Sequence, residues 1–341
     1  MTIRRVLLNV CLFLLLVSLS FTVSYRFFPY PLPYHVERKL RFFEEHKDEY
    51  DLVFVGSSYV YHQIDPILFD AQLQERGYKV KSFNFGLGGA LGFENTAIVE
   101  KILALKPRRL RYVVMGFRGW PMEMNKLHVR TRRTVWWHTL GITSATCERI
   151  LRSGEPWERR VELLSAHLHH MWLRYSRVGL GFQMARSAWS AEDPPITEIK
   201  TALAQQGYFP VVGRAKGYET LLKRVKQYNN TLTAMRNSKG DETPFYSSPE
   251  LRLQMEVVLD AGVELIYVIS PQPDLMTRRR TESMRQAVPT LFAFNEPDRY
   301  PYLYTLEARS DTTHLNLLGA RAYTKHLAER FARYLASAGS R

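Results

Sequence analysis

The segment Asp51-Leu52-Val53-Phe54-Val55-Gly56-Ser57-Ser58 sets four consecutive apolar residues, rich in β-formers, directly before a run of small ones. A short apolar run that feeds a loop in this way is the pattern of a buried strand in a parallel sheet. The neighbouring stretches keep the same rhythm. Asp65-Pro66 supplies a helix start, with Asp65 as N-cap and Pro66 at the first position, and Leu68, Phe69 and Leu73 give an apolar side up to Gly77. Lys79 to Phe85 reads as a second strand, Gly86-Leu87-Gly88-Gly89 as a turn, Leu91 to Leu105 as a helix and Leu110 to Met115 as a third strand. Further on, Val263 to Ile269 is a strand closed by Ser270-Pro271, and Tyr302 to Leu306 reads as another. From Leu315 the spacing Leu315, Tyr323, Leu327, Phe331, Leu335 predicts an amphipathic C-terminal helix. This alternation predicts an α/β fold, a three-layer, doubly wound, mostly parallel sheet with helices on both faces.

Between about 121 and 248 the alternation lapses into a stretch rich in Arg, Trp and His, too long for a loop. It is expected to be a helical insertion placed after the third strand, over the carboxyl edge where ligands bind in such sheets. Trp136, Trp137, Trp157, Trp172 and Trp189 can either stack on sugar rings or form the insertion's own core, and the core is the commoner use. His167, His169 and His170 have no acidic or Cys neighbour at ligand spacing, so they read as surface or insertion histidines and no metal site is expected.

Twenty uncharged residues run from Val6 to Tyr25 behind Arg4 and Arg5, long enough as a helix to cross about 30 Å of hydrocarbon. They predict an N-terminal transmembrane signal anchor over 1–27, with a cleaved signal peptide as the alternative; either exports the remainder. Residues 28–48 are expected to form a linker and lead-in helix, beginning with the aromatic and proline-rich stretch Phe27 to Tyr34, and 49–341 the α/β domain. Of the 341 residues, 47 are Lys or Arg and 33 Asp or Glu, a net charge of +14 that attracts polyanions. Nucleic acid is disfavoured, because the basic residues are dispersed and no recognition motif accompanies them. With only Cys11 and Cys147, neither a disulfide framework nor a Cys-ligated zinc site is available.

Three motifs carry chemistry. Gly56-Ser57-Ser58 places a hydroxyl where the first strand ends, although such triplets are ordinary in turns. Asn84 to Gly89 supplies glycines that let backbone amides approach a substrate, yet it lacks the ending of a phosphate loop and the spacing of a dinucleotide fingerprint. Asp311-Thr312-Thr313-His314 puts a carboxylate three residues before an imidazole at a helix entrance, where Asp311 can orient His314 or merely cap the helix. His62, close to the first motif, is a candidate substrate contact or a packing residue, and Ser57 is the second-choice nucleophile.

Taken in this order, the three motifs resemble the blocks of the SGNH/GDSL hydrolase superfamily, over roughly residues 50–120 and 260–335. The resemblance implies an SGNH or flavodoxin-like sheet in which Ser58 is the nucleophile, His314 the general base and Asp311 its partner. It also implies Gly89 as an oxyanion donor, Asn84 as a substrate-binding residue of the second block, and no cofactor. The chain departs at the third block, where Gly116-Phe117-Arg118-Gly119-Trp120 puts Arg118 in the place of the usual asparagine donor. The Gly-Ser-Ser start, anchor and helical insertion look like the membrane-attached branch, which includes alginate O-acetyltransferase proteins and the D-alanine transfer protein of teichoic acid synthesis. That branch implies an extracytoplasmic esterase or O-acyltransferase acting on envelope glycan, beside a polytopic membrane O-acyltransferase. The alternative is a catalytically silent glycan-binding or scaffold subunit.

Overall fold

The structure is a computed structural model that describes residues 3–27, 30–124, 129, 131–178, 180, 197–211, 216–238 and 248–338. Its strands are β1 (Leu52–Val55), β2 (Ser82–Asn84), β3 (Tyr112–Gly116), β4 (Glu264–Ile269) and β5 (Leu291–Ala293). The helices begin with α1 (Ile3–Phe27), α2 (Tyr34–His46), α3 (Ser58–Tyr61), α4 (Pro66–Gln74) and α5 (Gly92–Ala104). Then come α6 (Arg132–Val135), α7 (Leu140–Arg152), α8 (Trp157–Ser176), α9 (Thr197–Ala204) and α10 (Lys216–Lys223). The last are α11 (Val225–Arg236), α12 (Pro249–Leu259), α13 (Leu275–Ala287) and α14 (Leu317–Ala338). The chain divides into two compact units, one of Met1–Glu37 with Met122–Pro195 and one of Arg38–Pro121 with Ile196–Arg341.

The second unit holds the sheet, five strands, all parallel, in the order β2-β1-β3-β4-β5. Successive residues of β1 point to opposite faces, and Leu52, Val53, Phe54 and Val55 are all fully buried, so helices must cover both faces. On one face Leu52, Phe54, Val114, Ile266 and Phe292 share a core with Phe69 and Leu73 of α4 and with Tyr323, Leu327 and Phe331 of α14. On the other, the Tyr267 hydroxyl donates to Gln254 of α12 across 2.8 Å. Asp65 caps α4 as its sequence position predicts, its side chain accepting the Leu68 N–H at 3.1 Å with Pro66 in the first turn.

Two assignments change. Tyr302 to Leu306 is not a strand: Pro301–Tyr304 forms a 3-10 turn, and the edge strand is Leu291–Ala293, too short to show any periodicity. The helical stretch predicted over 121–248 also does not stay together. Tyr218, Leu221, Tyr228, Leu232 and Met235 of α10 and α11 belong to the core of the sheet unit, because their apolar stripes complete its covering layer.

The other unit takes up the rest of that stretch. Trp136 and Trp137 are buried in it, Trp157 and Trp172 are exposed, and Trp189 lies outside the described residues. The predicted span Val6 to Tyr25 falls within α1, of which the side chains of Leu7, Leu14, Ser20, Phe21 and residues 24–27 lie outside the described residues. Among the described residues no helix is long and apolar enough to cross a membrane, so the fold establishes a helix of 25 residues and not a span.

Of the surface and insertion readings, His167 and His170 take the second. They are buried with His138, and His169 alone of the three read from the sequence is exposed. The Nδ1–H of His138 donates to the Thr134 carbonyl (2.7 Å) and the Nε2–H of His167 to the Met122 carbonyl (2.9 Å), leaving their other nitrogens 3.1 Å apart. Only a proton between those nitrogens makes that contact a hydrogen bond, while burial opposes the charge it brings. Burial holds His138 well below the ordinary imidazole value and lowers His167 to about 4, with His170 adding to both, Arg174 to the first and Arg149 to the second. Among the described residues no group of three or more potential ligands could hold a metal ion.

Because the folded pKa values lie below the unfolded one, this pair contributes stability above about pH 6.5 that is lost as pH falls toward 4. Thermal melts at pH 7, 5.5 and 4.5 are expected to show the Tm of the native chain falling more steeply than that of His167→Asn. Parallel slopes would contradict the assignment.

Candidate active site

The sheet order changes direction between β1 and β3, and in doubly wound sheets the crevice outside the carboxyl ends of those strands is where ligands bind. β1 delivers Ser57 and Ser58 to that edge. Ser57 takes the cap position of α3, is buried, and its hydroxyl has no partner among the described residues. Ser58, the first residue of the helix, has its Oγ 2.8 Å from Nε2 of His314, 256 positions away in sequence. His314 in turn donates its Nδ1–H to Asp311 Oδ2 at 2.9 Å. That bond fixes the tautomer: with the proton on Nδ1, Nε2 presents a lone pair to the Ser58 hydroxyl. The other carboxylate oxygen accepts the N–H of Thr313 (2.6 Å), the N–H of His314 (2.7 Å) and the Thr313 hydroxyl (2.9 Å). Burial pushes the Asp311 carboxyl up, but bonds from the His314 ring and from the Thr313 and His314 amides outweigh it and hold the group far below the usual range. Asp311 therefore orients the ring and also closes the turn that carries it, so the two readings of the sequence motif coexist.

Two buried cations brace this arrangement, and neither is visible in the sequence pattern. Arg309 is fully buried and donates to the Pro271 carbonyl (2.7 Å) and the Thr313 carbonyl (3.3 Å), tying the loop after β4 to the turn before His314. Lys39, on α2, is also fully buried; its ammonium donates to the carbonyls of Asn84 (2.9 Å), Gly86 (2.8 Å) and Gly207 (2.7 Å) and lies 4.2 Å from the centre of the Tyr61 ring. Burial holds its pKa well below the ordinary lysine value, against the opposing charge of Glu198.

Asn84 belongs to that bracing and not to a binding surface. It is fully buried, its Nδ2 donates to the carbonyls of Val60 and Ile64 (both 2.8 Å), and its Oδ1 accepts the Gly86 N–H (2.7 Å). Both of its amide hydrogens are used internally and the side chain has no exposed surface to offer a substrate, which corrects the expected role. Gly86 has no alternative, since a Cβ there would lie 2.3 Å from the Tyr61 nitrogen. Gly217 of α10 is equally constrained: a Cβ would sit 2.6 Å from that of Asp311, so α10 presses directly on the carboxylate's support.

Around Ser58, Gly89 is exposed in the turn after β2 at φ +69°, and the Ser58 N–H makes no hydrogen bond among the described residues. Arg118, after β3, sets its guanidinium 5.3 Å from the centre of the Tyr59 ring, and that ring stacks on His314 at 5.2 Å and 27°. Sequence reasoning misses Tyr59, since a lone tyrosine after a serine carries no signal. Its phenol is held neutral by burial, against the pull of Arg118 and of a Thr313 hydrogen bond. His62 donates its Nδ1–H to the Phe209 carbonyl (2.7 Å) and stands edge-on to His314 at 6.5 Å. Burial lowers its pKa, which disfavours a cation beside the His314 ring. A cavity of about 220 Å³ next to the turn is lined by Arg224, Gln227, Thr231, Pro273, Thr312 and Thr313 among others. The arrangement thus aligns a hydroxyl, an imidazole and a carboxylate, beside a cavity that none of the three lines directly.

Replacing Lys39 by Met leaves three buried carbonyls without a donor, each worth about 1–3 kcal/mol. Denaturant unfolding is expected to show Lys39→Met destabilised by at least about 3 kcal/mol, and a loss under about 1 kcal/mol would remove its bracing role. Neither the models of known protein families nor the curated proteins match the chain.

Proposed function

We propose that the protein is an SGNH-type serine esterase or O-acyltransferase acting outside the cytoplasm on acyl groups of cell-envelope polysaccharide. The observation that carries this reading is the hydrogen-bonded line Ser58 Oγ, His314 Nε2, His314 Nδ1, Asp311 Oδ2, built from opposite ends of the chain with bonds of 2.8 and 2.9 Å. Chance neighbours at a turn do not need a single direction of proton donation through three groups; an acyl-transfer site does.

In this mechanism Ser58 Oγ attacks the ester carbonyl while its proton passes to His314 Nε2, and Asp311 stabilises the imidazolium. The tetrahedral oxyanion accepts the N–H of Ser58 and, as the superfamily resemblance implies, that of Gly89, with Arg118 in the place of the missing asparagine. On collapse the C–O bond to the leaving alcohol breaks and His314 returns the proton to that oxygen. A sugar hydroxyl or water then attacks acyl-Ser58 with the same base, giving transfer or hydrolysis. His62 lies close enough to His314 to line the substrate side. The chemistry calls for no cofactor.

The N-terminus supports this setting. Val6 to Tyr25 is uncharged, it folds as one helix, and Leu8, Phe13, Leu15 and Leu19 stand exposed on it, which favours a membrane anchor behind Arg4 and Arg5. A polytopic O-acyltransferase in the same membrane is the proposed acyl source, and the net charge of +14 favours acidic envelope polymers as surroundings.

A fluorophosphonate probe is expected to label the purified protein on Ser58, with Ser58→Ala and His314→Ala unlabelled. With p-nitrophenyl acetate, Asp311→Asn is expected to lower kcat by roughly 10³ to 10⁴ and leave KM within a few-fold. A scaffold without chemistry predicts no labelling, and normal envelope acylation in a Ser58→Ala strain.

A further inference from the structure

Helix α8 carries two apolar faces, and only one is used within its unit. Leu163, His167 and His170 are buried on the first, and the helix lies against α7. On the second, Trp157, Val161, Leu168, Trp172 and Tyr175 are all exposed. At 100° per residue these five fall within about 60° of arc, a continuous stripe along a helix about 30 Å long. Exposed apolar residues scattered over a surface need no explanation, but an aligned stripe with two tryptophans and a tyrosine marks an interaction surface.

A second observation sets the level of the stripe relative to the exit of α1. Arg174, in the last turn of α8, places its guanidinium 4.9 Å from the centre of the Tyr30 ring and donates to the Trp136 carbonyl. Tyr30 is three residues beyond Phe27, where α1 ends. Arg174 lies on the side of α8 away from the stripe, so the contact sets the Trp172 and Tyr175 end of the helix at the level where the chain leaves α1 and leaves the stripe uncovered. If α1 spans a bilayer, that point is the lipid–water boundary, the layer that tryptophan and tyrosine favour. The groups beside the stripe suit the same layer: the Arg160 guanidinium lies 5.5 Å from the Trp157 ring, and the His169 ring stacks on Trp172 at 5.9 Å. Glu162, on the same helix, is paired with Arg159.

We infer that α8 is an interfacial helix: its stripe from Trp157 to Tyr175 sits among the upper acyl carbons of the anionic bilayer that holds α1. This rests on the membrane reading of α1 given above and adds a second, in-plane attachment for the unit that carries it. A helix of this kind with an apolar stripe and polar flanks binds a bilayer by lying in its surface.

The test uses the full chain reconstituted into vesicles of phosphatidylcholine and phosphatidylglycerol, with and without lipids brominated near the top of the acyl chains. Of its six tryptophans, Trp120, Trp136 and Trp137 are buried. Brominated vesicles are expected to quench the wild-type emission, and Trp157→Phe with Trp172→Phe is expected to remove at least half of that quenching while the circular dichroism is unchanged. Equal quenching in both proteins overturns the inference. So does a concentration-dependent dimer in which Trp157 and Trp172 are protected, because a second copy then covers the stripe. Protein that an alkaline wash releases, but that shows Trp157- and Trp172-dependent quenching, keeps the interfacial helix and removes the α1 span. Protein that does not associate with the vesicles removes both.

Discussion

One ammonium group sets the position of Ser58. Lys39 satisfies three carbonyls, on Asn84, Gly86 and Gly207, at the carboxyl edge of the sheet. Parallel strands end there with their carbonyls pointing outward, and a turn packed over them needs donors that the backbone alone does not provide. Asn84 passes the constraint on, since its side chain holds Val60 and Ile64 and so fixes the short helix that opens with Ser58. A charge in that place is costly to bury and is tolerated because all three of its donors are occupied. Arg309 does the corresponding work for His314, binding the Pro271 and Thr313 carbonyls on either side of the loops that meet near it. Ser58, His314 and Asp311 themselves are only partly buried, so their alignment depends on these interior cations.

The sheet was legible because its strands are buried on both faces and so appear as unbroken apolar runs. Leu52–Val55, Tyr112–Gly116 and Glu264–Ile269 each lie within a residue or two of the limits that such runs predict. Leu291–Ala293 was not legible, since three apolar residues make no pattern and the pairing with β4 defines the strand. In the site, Ser58, His314 and Asp311 were legible because their chemistry is restricted to few residue types at strand ends and helix entrances. The bracing groups were not. Nothing about a lysine in a charged, amphipathic helix distinguishes Lys39 from its exposed neighbours, and Asn84 carries the residue type of a substrate contact while its fold position makes it a tie. Whether an amide faces a substrate or a backbone is decided by tertiary packing alone.

The two halves of the helical stretch have different physical origins. Between 122 and 195 the aromatic residues divide between an interior, with Trp136 and Trp137, and an outer stripe with Trp157 and Trp172, so one composition serves two surfaces. The histidines divide in the same way. His138, His167 and His170 fill buried positions in which a ring nitrogen of each answers a backbone carbonyl, while His169 stacks on Trp172 at the surface.

Gly217 gives the second half a different standing. Because α10 approaches Asp311 so closely that no side chain fits between them, the carboxylate rests on a helix that lies far outside the recognisable motifs. Modularity therefore has an asymmetric limit: the described residues of 122–195 contribute none of the strands and neither bracing cation, whereas 216–236 are part of the wall behind Asp311. A shortened sheet domain would have to keep the latter, and any homologue lacking it must support its aspartate by other means.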